Sequence, residues 1–221
     1  MSRLVVLISG TGRNLQAILE AQRAGHIHGE VSAVISNNPD AAGLAHARSA
    51  GVATAVVDHR NYPDRGSFES ALAAEIDRYT PDFVALAGFM RILGSEFVKR
   101  YRGRLLNIHP SLLPKHPGLQ THARALAEGE AWHGASVHFV TESVDGGPVI
   151  LQGRVPVHSN ETPDALAERV MHEVEQVIYP EVLAWASSGR LQMREDQVIL
   201  DDRVLLEPIQ LQALQLEKKH G

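Results

Sequence analysis

Short apolar runs and segments with helical spacing alternate along the first half of the chain. The apolar runs are rich in β-branched residues and are bounded by Gly, Asn or Pro, which predicts buried strands. The five predicted strands are Arg3–Ile8, Val31–Ile35, Val52–Val57, Phe83–Leu86 and Leu105–Ile108. The four predicted helices between them are Asn14–Ala24, Ala41–Ala50, Ser67–Arg78 and Gly94–Tyr101. This alternation predicts an α/β fold with a Rossmann-like, mostly parallel sheet and helices on both faces.

The pattern changes in the second half of the chain. Two longer alternating segments, Gly134–Glu142 and Val149–Val157, predict a C-terminal antiparallel or mixed extension of the sheet. A long helix is predicted over Thr162–Ala186, with Thr162 as its N-cap and Pro180 as a candidate kink. We find no internal repeat and no strong linker. The sequence therefore predicts one domain at residues 1–205 and a polar tail at residues 206–221.

Composition narrows the class of protein. The chain has 221 residues, of which 44% are hydrophobic and 21% are charged, as in ordinary globular proteins. It has no Cys, which excludes disulfides and thiolate chemistry. The net charge of −5 argues against nucleic acid as the main partner. The apolar run near the start is too short for a membrane span or a signal peptide, so we expect a cytoplasmic protein.

A Gly-rich turn joins the first strand to the first helix. Glycines let the backbone approach a ligand, and a helix N-terminus offers free N–H groups to a phosphate. A dinucleotide site would need a third Gly, where Leu15 stands, and an acidic residue, where Ser36-Asn37-Asn38 stands. The turn at Ser9–Asn14 therefore favours a phosphomonoester over a dinucleotide, and a turn without any ligand has similar weight.

The fifth strand ends with two polar side chains on one face, Asn107 and His109. His can move a proton near neutral pH, and Asn can donate a hydrogen bond to a developing oxyanion. The alternative is that nearby backbone satisfies both side chains. Asp145, before Gly146-Gly147, is by itself a turn residue. It would have to reach His109 in order to fix the imidazole tautomer and favour the protonated ring.

Two further features favour structural interpretations when taken alone. The chain has twelve histidines but no H-E-x-x-H motif and no Cys partner, so we predict no metal site. The segment Gly88–Leu93 follows the fourth strand. Its apolar residues could line a pocket for a flat heteroaromatic ring, but a loop packed under the sheet is the better interpretation.

Four ordered blocks of this sequence closely resemble the phosphoribosylglycinamide formyltransferases, a folate-dependent family of purine synthesis. The blocks are Val5–Gly10 with Gly12 and Asn14-Leu15; Leu86–Leu93; Leu106–Pro114 with Pro117-Gly118; and Ser136–Thr141 with Asp145–Pro148. The resemblance spans roughly residues 3–193. It implies a phosphate-binding half at about residues 1–100 and a catalytic and folate half at about residues 101–205.

The resemblance also implies a role for particular residues. The implied catalytic residues are Asn107, His109 and Asp145. Glycinamide ribonucleotide would contact Gly12, Arg13, Asn14, Glu175 and, as a neighbour, His172. The folate site would be formed by Arg65, Met90, Arg91, Ile92, Leu93, Asn107, Thr141, Glu142, Ser143, Val144 and Asp145. Arg13 departs from the family, which commonly has a small hydroxyl residue there.

The implied reaction transfers the formyl group of 10-formyltetrahydrofolate to the substrate amine in de novo purine (IMP) biosynthesis. The amine attacks the formyl carbon, Asn107 and protonated His109 stabilise the oxyanion, and Asp145 assists. The folate is a co-substrate, and no metal is required. We expect small-molecule partners, no nucleic acid or membrane partner, and a monomer or homodimer.

Three other functions compete with this one. A formyltetrahydrofolate deformylase would use similar residues with water, but it usually has an added N-terminal domain, whereas the first strand here begins at Arg3. A methionyl-tRNA formyltransferase would need a C-terminal tRNA-binding domain and a basic surface. A non-catalytic phosphate-binding module would have no reason to place Asn107 and His109 at one strand end.

Overall fold

The computed structural model describes residues 1–212, and this part of the chain contains eleven strands and seven α-helices. The strands are β1 (Ser2–Ile8), β2 (Gly29–Ser36), β3 (Ala53–Val56), β4 (Phe83–Leu86), β5 (Leu105–His109), β6 (Trp132–Phe139), β7 (Val149–Pro156), β8 (Leu191–Arg194), β9 (Gln197–Leu200), β10 (Arg203–Val204) and β11 (Ile209–Gln210). The helices are α1 (Arg13–Arg23), α2 (Gly43–Ser49), α3 (Arg65–Asp77), α4 (Ser95–Arg100), α5 (Thr121–Ala127), α6 (Pro163–Val170) and α7 (Gln176–Ser187).

The main sheet has eight strands in the order β11-β7-β6-β5-β4-β1-β2-β3. Strands β1 to β5 are all parallel to one another, whereas β6 is antiparallel to both β5 and β7. A separate antiparallel sheet contains β8, β9 and β10. The predicted class, a mostly parallel Rossmann-like sheet with an antiparallel and mixed extension, is therefore confirmed.

Helices cover both faces of the main sheet, and alternation along β1 shows why this strand is apolar from Leu4 to Ile8. Val6 and Ile8 belong to one buried cluster, whereas Val5 and Leu7 belong to the other. Successive strand side chains point to opposite faces, so a strand that is covered on both sides needs a continuous apolar run. Tyr179 on α7 fixes this helix to the sheet, because its buried hydroxyl lies 3.0 Å from the Leu86 carbonyl oxygen.

The C-terminal helical region differs from the prediction. One turn of π-helix, Met171–Glu175, separates α6 from α7, and α7 continues through Pro180. This wider turn lies immediately before Gln176, whose carbonyl cannot accept the usual hydrogen bond because Pro180 has no N–H. The irregularity therefore falls one turn before the predicted kink. A π-helical turn is frequently found at a functional site.

Helix α5 and strand β11 were not predicted from the sequence. Helix α5 has seven residues and buries only Thr121 and Ala125, so it has no extended apolar periodicity to reveal it. Strand β11 lies within the predicted polar tail, and it pairs with β7 through Ile209 and Gln210. Residues 213–221 of that tail lie outside the described residues. No helix within residues 1–212 is long and apolar enough to cross a membrane.

Candidate active site at the carboxyl edge of the sheet

The predicted chemistry-bearing loops meet at one edge of the main sheet. Strands β1, β4 and β5 are adjacent and parallel, so their carboxyl ends lie side by side. Ligands of open α/β sheets bind in this position. With neighbouring strands about 4.8 Å apart, the turn after β1 lies about 10 Å from the end of β5. A phosphorylated sugar can span that distance between a phosphate site and a reacting group.

Four polar side chains form a cluster at the end of β5 and β6. Asn107 pairs with His138 across the two strands, and its amide Nδ2 lies 3.3 Å from His138 Nε2. Asp145 lies between the two histidines. Its Oδ2 is 3.4 Å from His109 Nδ1, and its Oδ1 is 3.7 Å from His138 Nε2. We call Asn107, His109, His138 and Asp145 the polar cluster.

His138 orients the Asn107 amide. Burial lowers the pKa of His138 from its ordinary value, which favours the neutral ring. Nδ1 lies 2.9 Å from the Phe139 carbonyl oxygen and donates to it, since a carbonyl can only accept. Nε2 then carries the lone pair and accepts one N–H of Asn107. The second N–H of Asn107 has no partner within the described part of the chain, so it can donate to a ligand oxygen.

His109 faces an acceptor at each ring nitrogen. Nε2 donates to the His116 carbonyl oxygen at 3.0 Å, and Nδ1 faces the Asp145 carboxylate. Both side chains are largely buried, with 7% and 12% of their surfaces exposed. Only an imidazole that is protonated at both nitrogens can donate in both directions. Asp145 thus reaches His109, while backbone satisfies only one side of the ring.

The Asp145 side chain is itself held in place. Its Oδ2 accepts a hydrogen bond of 2.8 Å from the backbone N–H of Gly118. Asp145 has a φ of 50°, a left-handed conformation that is uncommon outside Gly, Asn and Asp. Gly147 has to be Gly, because a Cβ there would lie 1.8 Å from the Phe139 carbonyl oxygen. The turn therefore directs the Asp145 carboxylate towards His109 and His138.

The Gly-rich turn after β1 has the geometry of an anion site. Gly12 has a φ of 78°, and a Cβ there would lie 2.6 Å from Gly43 Cα, so only Gly fits. Helix α1 starts at the next residue with its free N–H groups facing the turn. The Arg13 guanidinium turns away to Glu168, with two hydrogen bonds of 2.6 and 2.8 Å. It also lies 3.2 Å from His172 Nε2.

A buried amide–carboxyl pair follows this turn. Asn14 Nδ2 donates to Glu175 Oε2 at 2.7 Å, although the two residues are far apart in sequence. Burial raises the pKa of Glu175, and the hydrogen bond from Asn14 opposes that shift. Asn14 Oδ1 is buried without a hydrogen-bond partner among the described residues. It can therefore accept a hydrogen bond from an N–H or O–H group of a ligand.

The loop after β4 is only partly packed under the sheet. Phe89 is buried, whereas Met90 and Ile92 are exposed, so the packed-loop interpretation is wrong for those two positions. Ser9 connects this loop to the Gly-rich turn. Its hydroxyl accepts a 2.8 Å hydrogen bond from the Met90 N–H and donates to Asn37 Oδ1 at 2.6 Å. The exposed apolar residues thus have a fixed backbone beneath them.

The remaining predicted folate residues border the same edge. Arg65 lies beside the end of the loop after β4. Its Nε is 3.7 Å from Glu69 Oε1, and this carboxylate oxygen accepts a 2.7 Å hydrogen bond from the Gly94 N–H at the end of that loop. Thr141 to Val144 connect β6 to Asp145, and Val144 is exposed. Glu142 Oε2 lies 3.6 Å from Arg102 Nη1.

Sequence reasoning assigned no individual role to His138, Ser9 or Gly118 in this site. No local pattern distinguishes His138 from the other eleven histidines of the chain. The signal that could have found it is the pairing of two alternating strands, which places Asn107 opposite His138 and His109 opposite Ser136. Ser9 and Gly118 act through contacts between loops that are distant in sequence. No local pattern reveals such contacts.

An open α/β sheet with an anion-binding turn and an amide–imidazole–carboxylate cluster at one edge has the arrangement expected of an enzyme that binds a phosphorylated ligand beside groups for proton transfer and oxyanion stabilisation. The formyl transferase family matches residues 2–183. The phosphoribosylglycinamide formyltransferase of Escherichia coli (strain K12) is 53% identical over 202 residues, which cover 91% of this chain and 95% of that protein. The chain therefore belongs to the formyl transferase family.

Solved structures agree with this assignment. The phosphoribosylglycinamide formyltransferase from Coxiella burnetii, in complex with CHES, is 50% identical with a TM-score of 0.90, covering 95% of this chain and 98% of that chain. A formyltetrahydrofolate deformylase from Pseudomonas putida KT2440 is 26% identical with a TM-score of 0.79. That match covers 90% of this chain and 70% of the deformylase chain.

Proposed function

We propose that the protein transfers the formyl group of 10-formyltetrahydrofolate to the amine of glycinamide ribonucleotide (5-phosphoribosylglycinamide). The products are formylglycinamide ribonucleotide and tetrahydrofolate, in de novo purine (IMP) biosynthesis. The observation that carries this proposal is the polar cluster, in which Asp145 lies 3.4 Å from His109 and one amide N–H of Asn107 has no partner among residues 1–212. The activity named for the relatives reported above supports the same proposal.

The proposed mechanism is direct attack. The substrate amine adds to the formyl carbon and produces a tetrahedral oxyanion, which Asn107 and the His109 imidazolium stabilise by hydrogen bonds. Asp145 favours the charged form of His109 and assists the movement of the amine proton to the leaving folate nitrogen. Collapse of the intermediate breaks the bond to that nitrogen. No covalent bond to the protein and no metal ion enters these steps.

In this proposal, the ribonucleotide binds in the part of the site that is formed by the end of β1 and the start of α1. Its phosphate binds the backbone N–H groups of Gly12, Arg13 and Asn14 at the start of α1, which the left-handed turn at Gly12 supports. Glu175 and the unpartnered Asn14 Oδ1 receive the ribose or amine end. His172 is a neighbour through its contact with the Arg13 guanidinium, whose pairing with Glu168 leaves phosphate binding to the backbone.

The folate occupies the other side of the polar cluster. Exposed apolar side chains at Met90, Ile92 and Val144 support the placement of its flat ring there. The full proposed set is Arg65, Met90, Arg91, Ile92, Leu93, Asn107, Thr141, Glu142, Ser143, Val144 and Asp145. We also propose that the partners of the protein are small molecules, that it acts in the cytoplasm, and that it is a monomer or a homodimer.

An assay with both substrates tests the proposal. We expect formylglycinamide ribonucleotide, identified by mass spectrometry, to form in equal amount with tetrahydrofolate. Omission of the ribonucleotide should stop folate release. Folate release at an unchanged rate without the ribonucleotide, with formate as the product, would identify a hydrolase instead. The deformylase structure makes that comparison necessary, because the two activities share this fold.

A further inference from the structure

A second group of ligand-type side chains lies beside the polar cluster. It contains His116 from the loop after β5, Glu128 at the end of α5, and Glu130 before β6. One ligand atom from each residue lies within 4.8 Å of the others. His116 Nδ1 is 3.6 Å from a Glu128 carboxylate oxygen, and Nε2 is 3.7 Å from a Glu130 oxygen.

His116 is the unusual member of this group. Only 4% of its side chain is exposed, yet neither ring nitrogen makes a hydrogen bond within the described part of the chain. Buried polar groups normally have a partner. The neighbouring His133 follows that rule, because its Nε2 lies 3.1 Å from His122 Nδ1. His116 instead directs two unpartnered nitrogens at two carboxylates.

The charges of the group leave room for a cation. The two carboxylates bring two negative charges to the group, of which the Lys115 ammonium offsets one. The Lys115 Nζ donates to both oxygens of Glu130, at 2.7 and 2.8 Å. The Lys115 and Glu128 side chains are more than half exposed, so both can move when an ion enters.

We propose that His116, Glu128 and Glu130 form a binding site for a divalent transition-metal ion such as Zn²⁺ or Co²⁺. An imidazole nitrogen with two carboxylate oxygens suits these ions, whereas Mg²⁺ prefers oxygen ligands alone. One ring nitrogen of His116 and one oxygen of each carboxylate would ligate the ion, and these atoms lie within 4.8 Å of one another. Ligand atoms of a tetrahedral site lie about 3.4 Å apart, so the carboxylate that faces the other ring nitrogen has to move towards the ion. Water completes the coordination. The ligands are spaced twelve and two positions apart, which is why the absence of H-E-x-x-H suggested no site.

The ion would stabilise the segment that supports the polar cluster. The His116 carbonyl oxygen accepts the hydrogen bond from His109 Nε2, and the Gly118 N–H donates to Asp145. An ion on the His116 ring links this segment to the end of α5. Its role is structural, and the site does not depend on which reaction the polar cluster performs.

Metal titration of the purified chain tests the site. After EDTA treatment and its removal, Co²⁺ binding is followed by visible absorption and Zn²⁺ binding by calorimetry. We expect one ion per chain in this site, no response to Mg²⁺, and a rise in Tm of about 5–10 °C at a hundredfold excess over Kd. Lys115→Met removes the competing ammonium and should tighten binding several-fold.

Variants test whether the ion binds at His116 or at another histidine of the chain. His116→Phe keeps a buried ring and should abolish both binding and the metal-dependent Tm rise, as should Glu130→Gln. His26→Phe is the matched control, because His26 pairs with a single carboxylate at 3.1 Å, and it should bind like the unmodified chain. Circular dichroism without metal verifies folding. Unchanged binding in His116→Phe, loss only in His122→Gln, or no binding by the unmodified chain would each overturn the proposal.

Discussion

The polar cluster differs from the loops after β4 and β6, which we call the folate-side loops because they are proposed to bind the folate. The difference is how far each region is assembled before a ligand arrives. His109 and Asp145 are almost buried, and each is held by backbone as well as by the other. By contrast, Met90, Ile92 and Val144 expose 71%, 68% and 58% of their surfaces. The groups proposed to react are therefore preorganised, whereas the surface proposed to bind the folate is left exposed for its ligand.

This difference has a physical reason. Hydrogen-bond donors stabilise a developing charge best when they need no reorganisation, so the polar cluster benefits from rigid, buried surroundings. A large flat co-substrate has to enter and leave, and exposed loop residues over a fixed backbone allow that. The Ser9 hydroxyl provides this fixed backbone by accepting the Met90 N–H. Substitutions in the two regions should consequently change different kinetic constants.

The largest effect is expected in the polar cluster. Asn107→Ala and His109→Ala each remove one donor to the oxyanion and should lower kcat by ~100–1,000-fold. Steady-state assays with both substrates measure this, and circular dichroism verifies folding. His28→Ala, at an exposed position, is the control and should keep normal turnover. Near-normal kcat in either cluster variant would contradict the proposed mechanism.

Asp145→Asn should have the second largest effect on kcat. The substitution keeps the size and an acceptor for the Gly118 N–H but removes the charge that faces His109. We expect kcat to fall roughly 100-fold with little change in either KM. Asp202→Asn is the matched control, because Asp202 is an exposed aspartate in the same left-handed conformation. Equal activity of the two variants would mean that Asp145 is only a turn residue.

The folate-side loop should respond in KM. Met90→Ala and Ile92→Ala remove apolar surface that a bound folate would cover, and each should raise the KM for the folate by roughly 3–10-fold. The kcat and the KM for the ribonucleotide should change less than about twofold. Leu206→Ala, which also removes an exposed apolar side chain, is the control. A fall in kcat without a change in folate KM would remove the contrast between the two regions.

The smallest effect concerns the stability cost of the buried Glu175. Its pKa is raised by burial, so the folded state holds the charged form less readily than the unfolded state does. The resulting loss of stability develops as the pH rises through the folded pKa. Glu175→Gln removes this cost and should raise Tm by about 2–4 °C at pH 8 and by less at pH 5.

Melting curves across this pH range provide the measurement. Glu173→Gln is the control, because Glu173 lies on the same helical turn with an exposed side chain and should show no such trend. The Glu175→Gln variant should also bind the ribonucleotide more weakly, since its side chain no longer carries a charge. A Tm difference that is equal at both pH values would contradict the role of burial.

The predictable part of this molecule is the part encoded by local patterns. The strand at residues 3–8 was evident because burial on both faces requires a continuous apolar run. Asn107 and His109 were evident because alternation places them on one face at a strand end. His138 required knowledge of which strand pairs with β5. Similarly, the Arg13 guanidinium binds Glu168 on a helix that is distant in sequence, and no local pattern indicates that contact.

A single-turnover experiment tests the central claim most directly. The chain and His109→Ala are each saturated with the ribonucleotide, mixed with folate that carries an isotopically labelled formyl group, and quenched at short times. We expect the label in formylglycinamide ribonucleotide, at a rate ~100–1,000-fold lower in the variant although the folate is bound equally. Equal rates in the two proteins, or label recovered as formate, would contradict formyl transfer by the polar cluster.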